Sequence, residues 1–146
     1  HIEWPVVVML GAMIPIGGAL TSSGLTATSA NFITNYFADL HVAWVLVVIL
    51  VFTMFISDLI NNAATAVIMA PVSMQVAQQM SQPIEPFLMA VAVGASCAFL
   101  SPIGHQCNTL VMGPGNYRFG DYWKLGLPLE ILIIGISIPV ILNTWF

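Results

Sequence analysis

Charge is what this sequence has least of. Of its 146 residues only 5% are charged, two basic and six acidic, while 59% are hydrophobic, and the mean hydropathy is +0.97. A soluble domain usually carries about 25% charged residues, so a water-facing surface cannot be built from this set. The net charge of −4 excludes nucleic acid as a partner, because nothing here neutralises a run of phosphates. Cysteine is also scarce. Cys97 and Cys107 lie within or beside apolar stretches, without the spacing of a disulfide scaffold, and are expected to be reduced and to serve packing. His105 and Cys107 are too sparse for a zinc-type centre. No Ser/His/Asp or metalloprotease spacing occurs, so an enzyme is not expected.

The few charges are placed as a bilayer would place them. Glu3, Asp39, Glu85, Arg118, Asp121 and Lys124 fall between apolar runs, and only Asp58 and Glu130 lie inside or close to one. Trp4, Trp44, Trp123 and Trp145 sit at the ends of apolar runs, where amphipathic rings settle at headgroup level. The expectation is an all-α integral membrane protein with the lipid bilayer as its principal partner. The chain opens on His1 and enters an apolar run at once, with neither a basic leader nor a small-residue cleavage site. It therefore reads as a fragment of a longer protein and not as a signal peptide.

Five segments follow. Residues 4–20 form a first span, just long enough to cross, with Pro15, Gly17 and Gly18 loosening its end. Residues 24–40 carry Leu25, Phe32, Ile33, Tyr36, Phe37 and Leu40 at roughly helical spacing and read as an amphipathic interfacial helix. Residues 42–80 hold two apolar arms, 42–56 and 63–76, separated only by Ser57 to Asn62. Two full spans need about 20 residues each, so a re-entrant helical hairpin with a polar tip at membrane depth is expected, its backbone shielded by protein or a water-filled cavity. Residues 87–112 form a span broken by Ser101 to Thr109, where Pro102, Gly104 and polar side chains interrupt the apolar run. Residues 125–146 are a last span. Arg118 and Lys124 share the loop 113–124, which places that loop in the cytoplasm, the hairpin opening from the outer side and the C-terminus outside.

Two polar interruptions at membrane depth, 57–65 and 96–109, make the pattern of a transporter site built from discontinuous helices. A broken helix exposes amides that suit an anion and carbonyls that suit a dehydrated cation. Asn61 and Asn62 suit the N-cap of the second arm and equally suit a ligand, with Thr65 one turn on from Asn61. Packing against other helices would explain the same asparagines. His105, Gln106, Asn108 and Thr109 surround the second opening, although His105 would also serve as a hydrogen-bonded packing residue. Met69, Met74, Met80 and Met89 read as lipid or packing contacts. No Lys or Arg lies inside an apolar run, so an anionic substrate would need dipoles and co-bound cations. That favours cation-coupled symport over an anion pore with a basic ring. Asp58, an ionisable residue at membrane depth, is a functional candidate by default, as cation ligand, proton carrier or structural partner. Glu130 is expected near the cytoplasmic interface.

Residues 60–66 resemble the Ser-Asn-Thr signature at the hairpin tip of divalent-anion/sodium symporters. Pro102 to Thr109, followed by Gly113 to Asp121, is similar to the broken-helix segment and loop of their permease relatives. The resemblance implies one inverted repeat, the C-terminal one, of an elevator-type homodimeric transporter, whose N-terminal repeat is the missing partner. It implies sodium-coupled symport of a small dicarboxylate or sulfate across the plasma or inner membrane, with sodium as the coupling ion and no organic cofactor. It places the substrate at Asn61, Asn62, Ala63, Thr65, His105, Asn108 and Thr109. Sodium is placed at oxygens near Leu59, Asn61, Gly104 and Gln106. Ile60 stands where the signature has Ser, and Asn62 where it has Thr, which exchanges a hydroxyl ligand for an amide. Asp58 adds a negative charge that a dianion tolerates only if it is protonated, paired or cation-bound. Two other readings stay open: a cation/proton antiporter with Asp58 as the titrating carrier, and a truncated membrane fragment inactive alone.

Overall fold

A computed structural model of the chain describes residues 11, 15, 18, 19, 22–37, 41–60, 62–102 and 104–146. Most of the expected first span, 4–20, lies outside the described residues, as do Asn61 and Ile103. The described residues are helical, without strands: α1 (Leu25–Phe37), α2 (Val42–Leu59), α3 (Asn62–Gln79), α4 (Glu85–Ser96), α5 (Gln106–Met112), a 3-10 turn (Phe119–Asp121) and α6 (Tyr122–Trp145).

Of the apolar residues expected at helical spacing, helix α1 buries Ile33 and leaves Phe32 and Tyr36 exposed. Ala30 is buried as well. The buried face lies mainly against α3, where Gln79 Nε2 donates to Asn31 Oδ1 at 2.7 Å and the Thr34 hydroxyl meets Gln79 Oε1 at 2.8 Å. Helices α2 and α3 form the hairpin, each 18 residues long and so about 27 Å from end to end. The arms are longer than the apolar runs 42–56 and 63–76, because helix continues through Ser57, Asp58 and Leu59 and resumes at once at Asn62. Backbone hydrogen bonding carries these polar residues into the helix, where hydropathy alone ends it.

Helix α4 begins where Pro86 occupies the first turn, a position that needs no amide partner. It is central, packing on α2, α3 and α6. Its closeness to α2 depends on Gly94, since a Cβ there would lie 3.0 Å from the Leu50 carbonyl oxygen and 2.9 Å from Thr53 Cβ. The core between these helices is Leu46, Ile49, Leu50, Met54, Met69, Val76, Phe87, Ala90 and Val91. Burying each large aliphatic side chain of this kind is worth roughly 1.5–3 kcal/mol, and less where the reference state is lipid.

The last helix starts at Tyr122, three residues before the expected boundary, so Trp123 and Lys124 lie in its first turn. The 3-10 turn before it fixes this start: the Arg118 amide donates to Asp121 Oδ2 at 3.0 Å, and Lys124 pairs with Asp121 at 2.9 Å. Pro128 and Pro139 sit inside α6, leaving the Lys124 and Gly135 carbonyls without their usual donors. Membrane helices tolerate this where neighbours re-satisfy the backbone. Helix α2 and the stretch Phe119–Trp145 are each long and apolar enough to cross a membrane. Exposed apolar side chains line α2 (Phe52, Phe55) and α6 (Ile131, Leu132, Ile136, Val140). Met69 is buried in the core, while Met74 and Met89 face outward.

Candidate functional site at the hairpin tip and the helix break

The two polar interruptions meet. Helix α4 ends at Ser96 and α5 begins at Gln106, leaving the backbone between them with donors and acceptors that no helix satisfies. The hairpin tip supplies the partners. Ser101 Oγ donates to the Asp58 carbonyl at 2.6 Å, and the Gly104 amide donates back to Ser101 Oγ at 3.2 Å. The Leu100 amide donates to Asp58 Oδ1 at 3.0 Å. Gly104 is wedged against the tip: a Cβ there would lie 2.7 Å from the Ser57 carbonyl oxygen and 3.0 Å from Asp58 Cα. Only a residue without a side chain allows the break to sit this close.

Asn62 bridges the two elements. The amide orientation that satisfies its surroundings turns Nδ2 toward the Ala95 carbonyl (3.1 Å), Ser57 Oγ (2.9 Å) and the Gly104 carbonyl (3.2 Å). Ser57, fully buried, then accepts from Asn62 and donates to the Ala95 carbonyl at 2.9 Å. One asparagine thus holds the end of α4, the start of α3 and the backbone of the break.

The other expected site residues take different places. Asn108 directs Nδ2 to the Ala98 carbonyl (3.0 Å) and the Ser101 carbonyl (3.2 Å), and the Thr109 hydroxyl donates to the Pro102 carbonyl. Both side chains pin the unwound backbone, and Tyr122 adds a third clasp by donating its hydroxyl to the Asn108 carbonyl at 2.7 Å. His105 is exposed and caps α5, its Nδ1 accepting from the Cys107 amide at 3.2 Å. Thr65 is fully buried, with its hydroxyl unpartnered among the described residues. Ala63 is half-buried and the Leu59 side chain is exposed. Helix α5 starts at Gln106, whose side chain is outside the described set, and Asn61 lies outside the described residues altogether. Cys97 is buried and Cys107 exposed, both free thiols.

Glu130 corrects the interfacial expectation. It is 9% exposed and lies two turns into α6, within reach of the Phe99 backbone and of the Asp58 carboxyl. It gets there because α6 and the break nearly touch at Gly126, where a Cβ would lie 2.4 Å from the Phe99 carbonyl oxygen. The sequence signal was present, an ionisable side chain just inside an apolar run. Phe99, Asn108, Tyr117, Asp121, Tyr122 and Leu125 line a cavity of about 250 Å³ between the break and α6.

A helix pair joined by a polar tip, pinned against a helix break within an apolar chain, is the geometry of transporters with discontinuous helices. Residues 1–145 match the sequence profile of the citrate transporter family, CitMHS. The chain belongs to that family. Several of its relatives are named as transporters or cotransporters. The chain is 38% identical over 132 residues to the uncharacterized transporter sll0640 of Synechocystis sp., covering 90% of this chain and 22% of that protein. It is 36% identical over 140 residues to the uncharacterized transporter YfbS of Escherichia coli, covering 96% of this chain and 23% of that protein. Sodium/sulfate cotransporter 2 of Chlamydomonas reinhardtii is 29% identical over 134 residues, covering 91% of this chain and 15% of that protein. The chain thus spans about a quarter or less of the length of these relatives, and the resemblance to divalent-anion/sodium symporters agrees with the family match.

Proposed function

We propose that this citrate transporter family chain is one inverted repeat of a sodium-coupled symporter for a small divalent anion, a dicarboxylate or sulfate. The observation that carries the reading is the junction of the hairpin tip with the helix break, held by Asn62 and Gly104 in a chain with almost no charge. The N-terminal end of α3 opens at this junction, and its dipole suits an anion. The carbonyl end of α2 at Leu59 and the unwound backbone at Gly104 suit sodium, which neutralises part of the substrate charge where no basic side chain is at hand. In this reading Asn61 and the backbone amide of Asn62 touch the anion, and the bridge made by the Asn62 side chain positions the break. Asn108 and Thr109 act by shaping the unwound backbone, while Ala63, Thr65, His105 and Gln106 border the site. The names of the sodium/sulfate cotransporter relatives support sodium and an oxyanion as the transported pair. The hairpin as a re-entrant element, the elevator motion and the homodimer belong to the same proposal.

The test is uptake of labelled sulfate, succinate and citrate into proteoliposomes holding the full-length parent transporter, with and without an inward sodium gradient. Sodium-dependent uptake of one of these anions, abolished by Asn61→Ala and strongly reduced by Asn62→Ala, is the expected result. Uptake of none of them, with pH-driven cation exchange instead, would overturn the anion reading and transfer the function to Asp58 as a carrier.

A further inference from the structure

Phe99, Tyr117, Tyr122, Leu125 and Leu129 give the cavity between the break and α6 apolar and aromatic walls. Three polar side chains that also line it are already engaged. Tyr122 donates its hydroxyl to the Asn108 carbonyl at 2.7 Å. Asn108 Nδ2 donates to the Ala98 and Ser101 carbonyls. Asp121 accepts from Lys124 through Oδ1 at 2.9 Å and from the Arg118 amide through Oδ2 at 3.0 Å. The Tyr117 and Tyr122 rings meet edge to face with centroids 6.2 Å apart. Such walls offer an occupant contact area and few hydrogen bonds. The rim is basic. Arg118 and Lys124 are the chain's only Lys or Arg residues, and Asp121 lies between them in sequence. Lys124 is paired with Asp121 and 65% exposed, and Arg118 is exposed and within charge range of the same carboxylate. Two cations to one carboxylate leave one positive charge over. Tyr117 and Trp123 are about half exposed, as amphipathic rings at headgroup level are. From this point α6 runs on within a stretch long and apolar enough to cross a membrane.

We propose that this cavity holds one acyl chain of an anionic phospholipid, whose phosphate pairs with Arg118 and Lys124. Each part of the site selects one part of that molecule. A small soluble anion would answer the surplus charge and leave the apolar walls unused. A neutral hydrocarbon would fill the walls and leave the charge unanswered. A choline phospholipid brings its own cation, which competes with Arg118 for the phosphate. A guanidinium meets phosphate oxygens through two parallel hydrogen bonds, and basic groups beside membrane helices favour anionic headgroups. The acyl chain would pack against Phe99 on the break and Leu129 on α6, so lipid binding and the seating of the break against α6 become linked. The inference goes beyond the symport reading and does not depend on it. It needs only a bilayer and these residues.

The experiment is native mass spectrometry of the purified full-length parent, stripped of lipid in detergent and titrated with phosphatidylglycerol or phosphatidylcholine of the same acyl chains. Arg118→Gln, Leu129→Trp and Leu125→Gln are measured beside the wild type, each with its thermal midpoint. The expected result is one phosphatidylglycerol per chain, held about fivefold or more tighter than phosphatidylcholine, the effect of one surplus basic charge. Arg118→Gln removes that preference and leaves the lipid-free thermal midpoint unchanged. Leu129→Trp fills the cavity and abolishes the tight site for both lipids. Leu125 is 78% exposed, so Leu125→Gln keeps the fold and weakens both lipids even where Leu129→Trp does not fold. Glycerol 3-phosphate, a headgroup without acyl chains, does not compete. Equal affinity of the wild type for the two lipids overturns the proposal, as does phosphatidylglycerol binding that Arg118→Gln leaves unchanged. Binding that Leu125→Gln and a folded Leu129→Trp both leave intact places the acyl chain elsewhere, and competition by glycerol 3-phosphate reduces the site to a phosphate contact. Absence of any tight lipid on the wild type, the result if another segment of the parent fills the cavity, overturns the proposal as well.

Discussion

Replacing Gly104 by alanine tests whether the break depends on close approach to the hairpin tip. The new Cβ would lie 2.7 Å from the Ser57 carbonyl oxygen, 2.7 Å from Ala98 Cβ and 3.0 Å from Asp58 Cα. Carbon atoms rest at about 3.5–4.0 Å, so the break must retreat from the tip by roughly an ångström. Two of the three obstacles are backbone, and no flexible side-chain end can swing aside. Overpacking of this kind costs about 1–3 kcal/mol. The retreat also stretches the bonds from Asn62 to the Gly104 carbonyl (3.2 Å) and from Ser101 to the Asp58 carbonyl (2.6 Å). The expected outcome in the full-length parent is a lower thermal midpoint together with transport reduced by tenfold or more, since about 1.4 kcal/mol already corresponds to a factor of ten. Gly113→Ala is the control: a Cβ there meets nothing within 4 Å, so thermal midpoint and uptake should match or slightly exceed the wild type. If Gly104→Ala behaves like Gly113→Ala in both assays, the tip and the break are not in close contact.

The same logic applies along α6: Gly126→Ala, with a Cβ 2.4 Å from the Phe99 carbonyl oxygen, should destabilise, whereas Gly135→Ala, with open space, should not; differential melting of the pair checks it. Asn62→Ala leaves the Gly104 and Ala95 carbonyls and the Ser57 hydroxyl short of a donor, a loss of about 1–3 kcal/mol by the usual cost of unsatisfied buried groups, and thermal unfolding of the parent should read it directly. Gln79→Ala removes the exposed link to Asn31 and Thr34 and should change stability by no more than about 1 kcal/mol; a larger drop in the melting midpoint would show that α1 is held chiefly by that contact. A water-soluble maleimide should modify Cys107 and spare Cys97, one exposed and the other buried, with bound anion slowing the reaction; equal rates by mass spectrometry would contradict the placement of the break.

Much of the architecture was legible because the bilayer imposes it. A chain with so few charges has to bury its backbone in helices, and a polar cluster inside an apolar run stands out as a place where that rule is broken. Ser57 to Asn62 and Ser101 to Thr109 were visible for this reason, and the structure brings them together. Helix ends were less legible, because backbone bonding extends α2 through Asp58 and starts α6 at Tyr122 where hydropathy signals neither. The roles of single polar residues were hidden as well. Asn108 and Thr109 have the chemistry of ligands, yet their side chains bond to the unwound backbone beside them.

The sequence by itself determined the class of environment, the helical content and the two interruptions, because these follow from local composition and from the cost of an unpaired peptide group in lipid. Only the tertiary structure decided which groups meet. Gly104 against Ser57, Gly126 against Phe99, and above all Asp58 beside Glu130 are contacts between distant parts of the chain, set by how closely whole helices pack. A glycine looks alike in sequence whether its missing side chain makes room for a neighbour or for nothing. A carboxyl's neighbour, which determines whether it is a surface charge or half of a buried pair, is fixed only when the helices close around it.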